Sequence, residues 1–265
     1  MRIATLAGLP RSGSTLLCNL LAQRDDVTVS STSGLPGALA KMSEFLTNSP
    51  EVTSDLIGLP EARERNVSVL RGIVNNWHPD DGRLVVDKSR GWGWSYLLLQ
   101  RLYPDARMVA AVRHPRDVFA SIEKQHRATA EYGPHEPLWD KANVMFSQGG
   151  MIGGPIAAVE DMIRRRPFTQ SGIPFVFFAV YEGFTAAPDV AMRGIDKHLG
   201  LEPFDYDFDK VVSVATDADA LYRFKFPHDG SGQVEQRPVD ADLVPDDLAA
   251  QIKGRWPLFH QTFGY

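Results

Sequence analysis

Short apolar runs alternate with longer stretches in which apolar residues recur every three or four positions. Ile3 to Ala7 is the first run, and a helical pattern over 15–24 (Leu16, Leu17, Leu20, Leu21) follows it. Leu84 to Val86, Arg107 to Val112 and Ile173 to Val180 repeat the strand signal. The last is apolar throughout, as in strands buried on both faces of a parallel sheet. Helical patterns cover 38–47, 60–77, 93–102, 115–125, 156–165 and 188–199. Pro60 suits a helix start, and Pro104 and Gly200 suit helix ends. Residues 28–37 are rich in Ser, Thr, Gly and Pro and read as a loop near the site. Residues 127–139, with Gly133, Pro134 and Pro137, read as a second loop. The stretch 148–155, with Gly149, Gly150, Gly153 and Gly154, reads as mobile. With 127–139 it either closes as a lid or has no gating role. The tail from about 205 is mixed and polar, and its aromatic stripe (Trp256, Phe259, Phe263) is assigned to the core. Strand–helix alternation without a repeat or a linker predicts an α/β fold: a single domain over 1–265, with a central parallel sheet flanked by helices.

The length, 265 residues, suits one large α/β domain. The net charge of −5 argues against a nucleic-acid footprint but leaves room for a local basic pocket. The one cysteine, Cys18, cannot form an internal disulfide and reads as a small buried residue in a reducing compartment. No apolar run approaches the ~18 residues of a membrane span, and the first run is too short for a signal peptide. A cytoplasmic enzyme is expected.

The chemistry concentrates at predicted strand ends, where ligands of such sheets bind. Gly8-Leu9-Pro10-Arg11-Ser12-Gly13-Ser14-Thr15 lies between the first strand and first helix. This is the layout of a P-loop-like phosphate-binding loop, in which backbone N–H groups and a helix N-terminus meet an anion. Gly8 and Gly13 have the P-loop spacing, but Ser14 stands where a nucleotide triphosphatase needs Lys, and the loop's cation is Arg11. The segment Val112-Arg113-His114-Pro115 repeats the logic at the end of 107–112, with Ser121 in the following helix. Arg113 can fork onto a phosphate and Ser121 can add a hydroxyl. Two cradles imply a ligand with two separated phosphate-like groups.

Pro10-Arg11-Ser12-Gly13-Ser14-Thr15 together with Arg113 and Ser121 resembles the sulfotransferases that use 3′-phosphoadenosine-5′-phosphosulfate (PAPS), whose product is PAP. The resemblance implies that Arg11, Ser12, Gly13, Ser14 and Thr15 bind the 5′-phosphosulfate, and that Arg113 and Ser121 bind the 3′-phosphate. Arg at position 11 looks more like the tyrosylprotein and bacterial branches than the cytosolic one. Val85-Val86-Asp87-Lys88 looks like the strand whose terminal Lys points at the transferred group. Val180-Tyr181-Glu182 looks like the segment whose Tyr packs near adenine. Lys225 and Gln233 to Val239 resemble the C-terminal loop of the tyrosylprotein branch, where Arg237 would reach the cofactor phosphates. Arg90-Gly91-Trp92 resembles bacterial tyrosine-sulfating proteins. The chain departs from both branches at the general base: Ser30-Ser31-Thr32-Ser33 holds no carboxylate, and Arg90 stands where the cytosolic branch has His.

The implied activity is transfer of a sulfuryl group to a hydroxyl acceptor, a peptide tyrosine or a small-molecule or carbohydrate alcohol. Fixed cations on the transition-state oxygens would do most of the work. Arg11 and Lys88 are the candidates. Glu44, Asp87 and His126 are the candidate bases, each with a structural alternative: a solvated helix face, a partner for Lys88 or Arg90, and a helix-end cation. No metal cluster is visible in the sequence, and no metal is required. The competing readings are a kinase with a degenerate P-loop and a nucleotide-binding module without turnover.

Overall fold

The first apolar run forms strand β1 (Arg2–Gly8), buried from Ile3 onward. The computed structural model describes residues 1–30, 32–53, 59–128, 137–213, 230–237 and 240–265. After β1 come helix α1 (Ser14–Leu21), strand β2 (Val27–Ser30) and helices α2 (Leu35–Asn48), α3 (Pro50–Thr53) and α4 (Leu59–Trp77). Strand β3 (Leu84–Lys88), α5 (Trp92–Leu102), β4 (Arg107–Val112), α6 (Pro115–Ala128), α7 (Leu138–Met145) and α8 (Gly153–Arg165) follow. Strand β5 (Val176–Val180), α9 (Tyr181–Ala186) and α10 (Pro188–Leu199) precede a 3₁₀ turn (Ala241–Leu243), α11 (Asp246–Arg255) and α12 (Pro257–Phe263).

The strand order is β2-β3-β1-β4-β5, and every pair is parallel. All five C-terminal ends therefore emerge on one edge. From β1 the chain crosses to the far edge as β2, returns as β3 beside β1, and then passes to β4 and β5 on the other side, so the switch point lies at the end of β1. Side chains along β1 alternate between two cores. Ile3 and Ala7 join Leu35, Trp92, Phe119, Phe175 and Phe259 on one face. Ala4 and Leu6 join Leu17, Leu20, Phe184 and Ile195 on the other. Trp256 and Phe259 belong to the first core, and Phe263 packs against it. Cys18 is fully buried, and desolvation pushes its thiol up to about 12.

Three local expectations are corrected. Residues 27–30 form edge strand β2, paired with β3, rather than loop, and α2 begins already at Leu35. Only Val27 of β2 is buried, so its four residues carry almost no apolar pattern. The apolar run 173–180 is strand only from Val176. The glycine-rich stretch is a tightly packed turn leading from α7 into α8. The Ile152 N–H donates to the Met145 carbonyl at 3.0 Å, and a Cβ on Gly153 would collide with the Ser147 carbonyl. Gly150, Gly153 and Gly154 serve close approach. Of the other loop, 129–136 lies outside the described residues.

Two imidazoles, half-buried His198 and buried His260, set a pH response. His198 Nε2 lies 3.0 Å from the Met108 carbonyl oxygen. His260 is 3% exposed, and neither ring nitrogen has a hydrogen-bond partner among the described residues. Desolvation pushes both down to about 4 from the ordinary 6.5. The folded-state values lie below the unfolded ones, so the unfolded chain takes up protons first as pH falls. Stability should be flat above pH ~6.5 and fall below it, each imidazole contributing up to about 1.4 kcal/mol per pH unit. Urea unfolding at pH 7, 6 and 5, above the main carboxylate range, reads this out. Equal midpoints for wild type and His198→Gln at every pH would contradict it.

Candidate active site

The loop after β1 is held in a strained form. Arg11 has φ 58° and Gly13 φ 82°, both left-handed. Arg11 bears a cost there of roughly 1–2 kcal/mol, as residues at ligand clamps often do. Gly13 is required twice: by its φ, and because a Cβ would lie 3.0 Å from Tyr181 Cδ2. Ser12 is turned inward, its Oγ donating to the Leu9 carbonyl at 2.6 Å. It therefore staples the loop, and only its main chain can face a ligand. Gly13 precedes α1 without a side-chain cap, which leaves the first N–H groups of the helix to an anion.

The end of β4 brings the second motif against the first. Arg113 is 7% exposed, and its Nη1 donates to the Arg11 carbonyl at 3.0 Å. Its guanidinium carbon lies 4.1 Å from the Tyr181 ring centroid, a cation–π contact. Its Nε has no hydrogen-bond partner among the described residues. Arg11 Nε donates to Ser121 Oγ at 3.0 Å, so two motifs 110 residues apart form one cradle.

The cation missing after Gly13 comes from the neighbouring strand. Lys88 ends β3, and its Nζ donates to Thr15 Oγ1 at 2.9 Å. Tyr181, at the end of β5, forms a wall, and its hydroxyl accepts the Arg237 backbone N–H at 3.3 Å. Residues 230–237 pass over the loop. Asn19 Nδ2 donates to the Gly230 carbonyl at 3.0 Å, and Val211 and Gly232 form a bridge. The resulting cleft is lined by Arg11, Gly13, Ser14, Thr15, Arg113, Tyr181, Gln233 and Arg237, among others. Its donors and cations fit a nucleotide with two phosphate-like groups. Lys225 lies outside the described residues.

The candidate bases are placed elsewhere. Asp87 is fully buried: Trp92 Nε1 donates to Oδ1 at 2.5 Å, and His78 Nε2 to Oδ2 at 2.6 Å. Both oxygens are thus engaged, by His78 and Trp92. Glu44 is 62% exposed on α2, beside Lys41 at 3.3 Å. It stands about 13 Å along the helix from Leu35, the end nearest Lys88. His126 is half-buried in the last turn of α6. None of the three lines the cleft. Among the described residues no helix is long and apolar enough to cross a membrane.

A family model described as "Sulfotransferase family" matches residues 5–206. No curated protein matches the sequence. Among solved structures, the sulfotransferase domain from the Synechococcus PCC 7002 olefin synthase is similar over 100% of this chain and 95% of its own, at 18% identity and a TM-score of 0.52. The sulfotransferase from Alicyclobacillus acidocaldarius covers 100% and 96%, at 15% identity and 0.51. A retinol dehydratase in complex with androsterone and inactive cofactor PAP covers 98% and 81%, at 14% identity and 0.50. At these identities the likeness is one of fold.

Proposed function

For a chain that belongs to the sulfotransferase family, we propose the specific activity of moving a sulfuryl group from PAPS to a hydroxyl acceptor. The observation that carries this reading is the convergence of two anion motifs: Arg11 on Ser121 and Arg113 on the Arg11 carbonyl, both at 3.0 Å. When bound, the nucleotide supplies a sulfuryl group on a phosphate leaving group, so the bond from sulfur to phosphate oxygen is exchanged for one to the acceptor oxygen.

The residues divide that work. Arg113 and Ser121 hold the 3′-phosphate, and the unpartnered Arg113 Nε offers it a donor in a low-dielectric wall. The loop amides, Arg11 and the start of α1 hold the 5′ side. Lys88 stands at the other side of the loop, where charge builds on the bridging and equatorial oxygens. Tyr181 and the 230–237 stretch, including Arg237, wall the nucleotide from water. The acceptor is a hydroxyl compound, peptide tyrosine or an alcohol, and its proton is released to solvent as the new bond to sulfur forms and PAP departs.

The test is thermal stabilisation by PAP against ADP and Mg-ATP. PAP at about a hundred times its dissociation constant should add about 2.7 kcal/mol. Arg113→Ala should erase the preference for the 3′-phosphate. Stabilisation by Mg-ATP with none by PAP would return the chain to the kinases.

A further inference from the structure

The walls of the cradle stand on two strand ends that are neighbours in register, Val112 against Val180. Arg113 follows the first and Tyr181 the second. A carboxylate outside the cleft, that of Glu182, links the two turns. Its Oε1 accepts the His114 backbone N–H at 3.1 Å, and its Oε2 accepts the Tyr265 hydroxyl at 2.8 Å. His114 in turn opens α6. Its carbonyl accepts the Val118 N–H at 3.0 Å, and its Nδ1 accepts the Arg116 N–H at 3.1 Å. One carboxylate thus ties the turn bearing Arg113, and the helix bearing Ser121, to the turn bearing Tyr181. Tyr265 is held from its other side. Its ring centroid lies 4.9 Å from that of His114, and its carbonyl accepts Lys253 Nζ at 2.9 Å.

We propose that Glu182 and Tyr265 form a brace that sets Arg113 and Tyr181 at the spacing a 3′-phosphorylated adenine nucleotide requires. They are positioning residues, since neither lines the cleft. The proposal rests on the nucleotide reading above. A side chain held loosely by its supporting contacts loses affinity for the group it must meet, here the 3′-phosphate, more than for the rest of the ligand.

The experiment measures dissociation constants for PAP and for AMP, which lacks the 3′-phosphate, by calorimetry. Tyr265→Phe removes only the hydroxyl that Glu182 holds. It should weaken PAP about tenfold and leave AMP unchanged. Glu182→Ala should do the same or more, and Glu182→Gln, which keeps an oxygen for the His114 N–H, should restore most of the PAP affinity. If wild type prefers PAP and Tyr265→Phe keeps that preference intact, the brace is refuted alone. If PAP and AMP weaken equally in Tyr265→Phe, the pair holds the fold generally and the brace is likewise refuted. If wild type itself does not prefer PAP, the nucleotide reading falls and the brace with it.

Discussion

Lys88→Met is expected to lower turnover by about 10²–10³-fold while PAP still binds. Met keeps the length of the chain and removes the ammonium. In the structure that ammonium reaches the loop through Thr15 at 2.9 Å, in place of the lysine absent after Gly13. Its contribution should be greatest when charge moves onto the bridging oxygen, that is, in the transition state rather than in the bound ground state. The loss should therefore appear in kcat, with little change in the KM for nucleotide. Steady-state rates with the nucleotide varied at fixed acceptor separate the two. A variant whose KM rises at unchanged kcat would make Lys88 a binding residue only.

Asp87→Ala is expected to cost about 3–5 kcal/mol of stability, the range for leaving partners of a buried charge uncompensated. Trp92 Nε1 and His78 Nε2 both donate to this fully buried carboxylate. The ring of Trp92 is part of the core under the sheet. For a chain of this length the melting temperature should drop on the order of 10 °C. Asp87→Asn retains one oxygen for the indole and should fall between the two. Melting curves alongside turnover per folded molecule distinguish this role from that of a general base. A variant that melts like wild type yet has lost its activity would restore Asp87 to the chemistry.

The architecture was legible because it is written in local patterns. The apolar runs of β1 and β4 are those of strands buried in a parallel sheet, whereas the equally apolar β5 is a half-buried edge strand with only Ala179 fully inside, and Gly13 sits where a left-handed turn must come before a helix. Arg113 and Ser121 are separated by two helical turns after a strand, which a sequence displays directly. β2 escaped because a four-residue edge strand with one buried side chain has no periodicity to read. The glycines at 148–155 read as mobile because composition cannot distinguish a glycine needed for freedom from one needed for contact. Asp87 was seen, but its partners were not: His78 lies on the previous connection, and nothing in its surroundings marks it. Glu182 and Tyr265, 83 residues apart, meet only in three dimensions. Ser12 belongs to the loop motif, and only its rotamer shows that the hydroxyl serves the loop.

Three of the cations around the loop, Arg11, Lys88 and Arg113, stand at or just after the ends of three different strands, and the ladder fixes their spacing. Leu6 pairs with Lys88, and Gly8 with Ala111 just ahead of Arg113. A slip of β3 by one residue would carry Lys88 about 3.3 Å along the sheet and turn it to the opposite face. The pairing of β1 with β3 and β4 thus works as a ruler whose graduations are single residues. A slip of one graduation would also turn Leu84 and Val86 out of their core, so the packing that keeps the sheet together is also what keeps the ruler true.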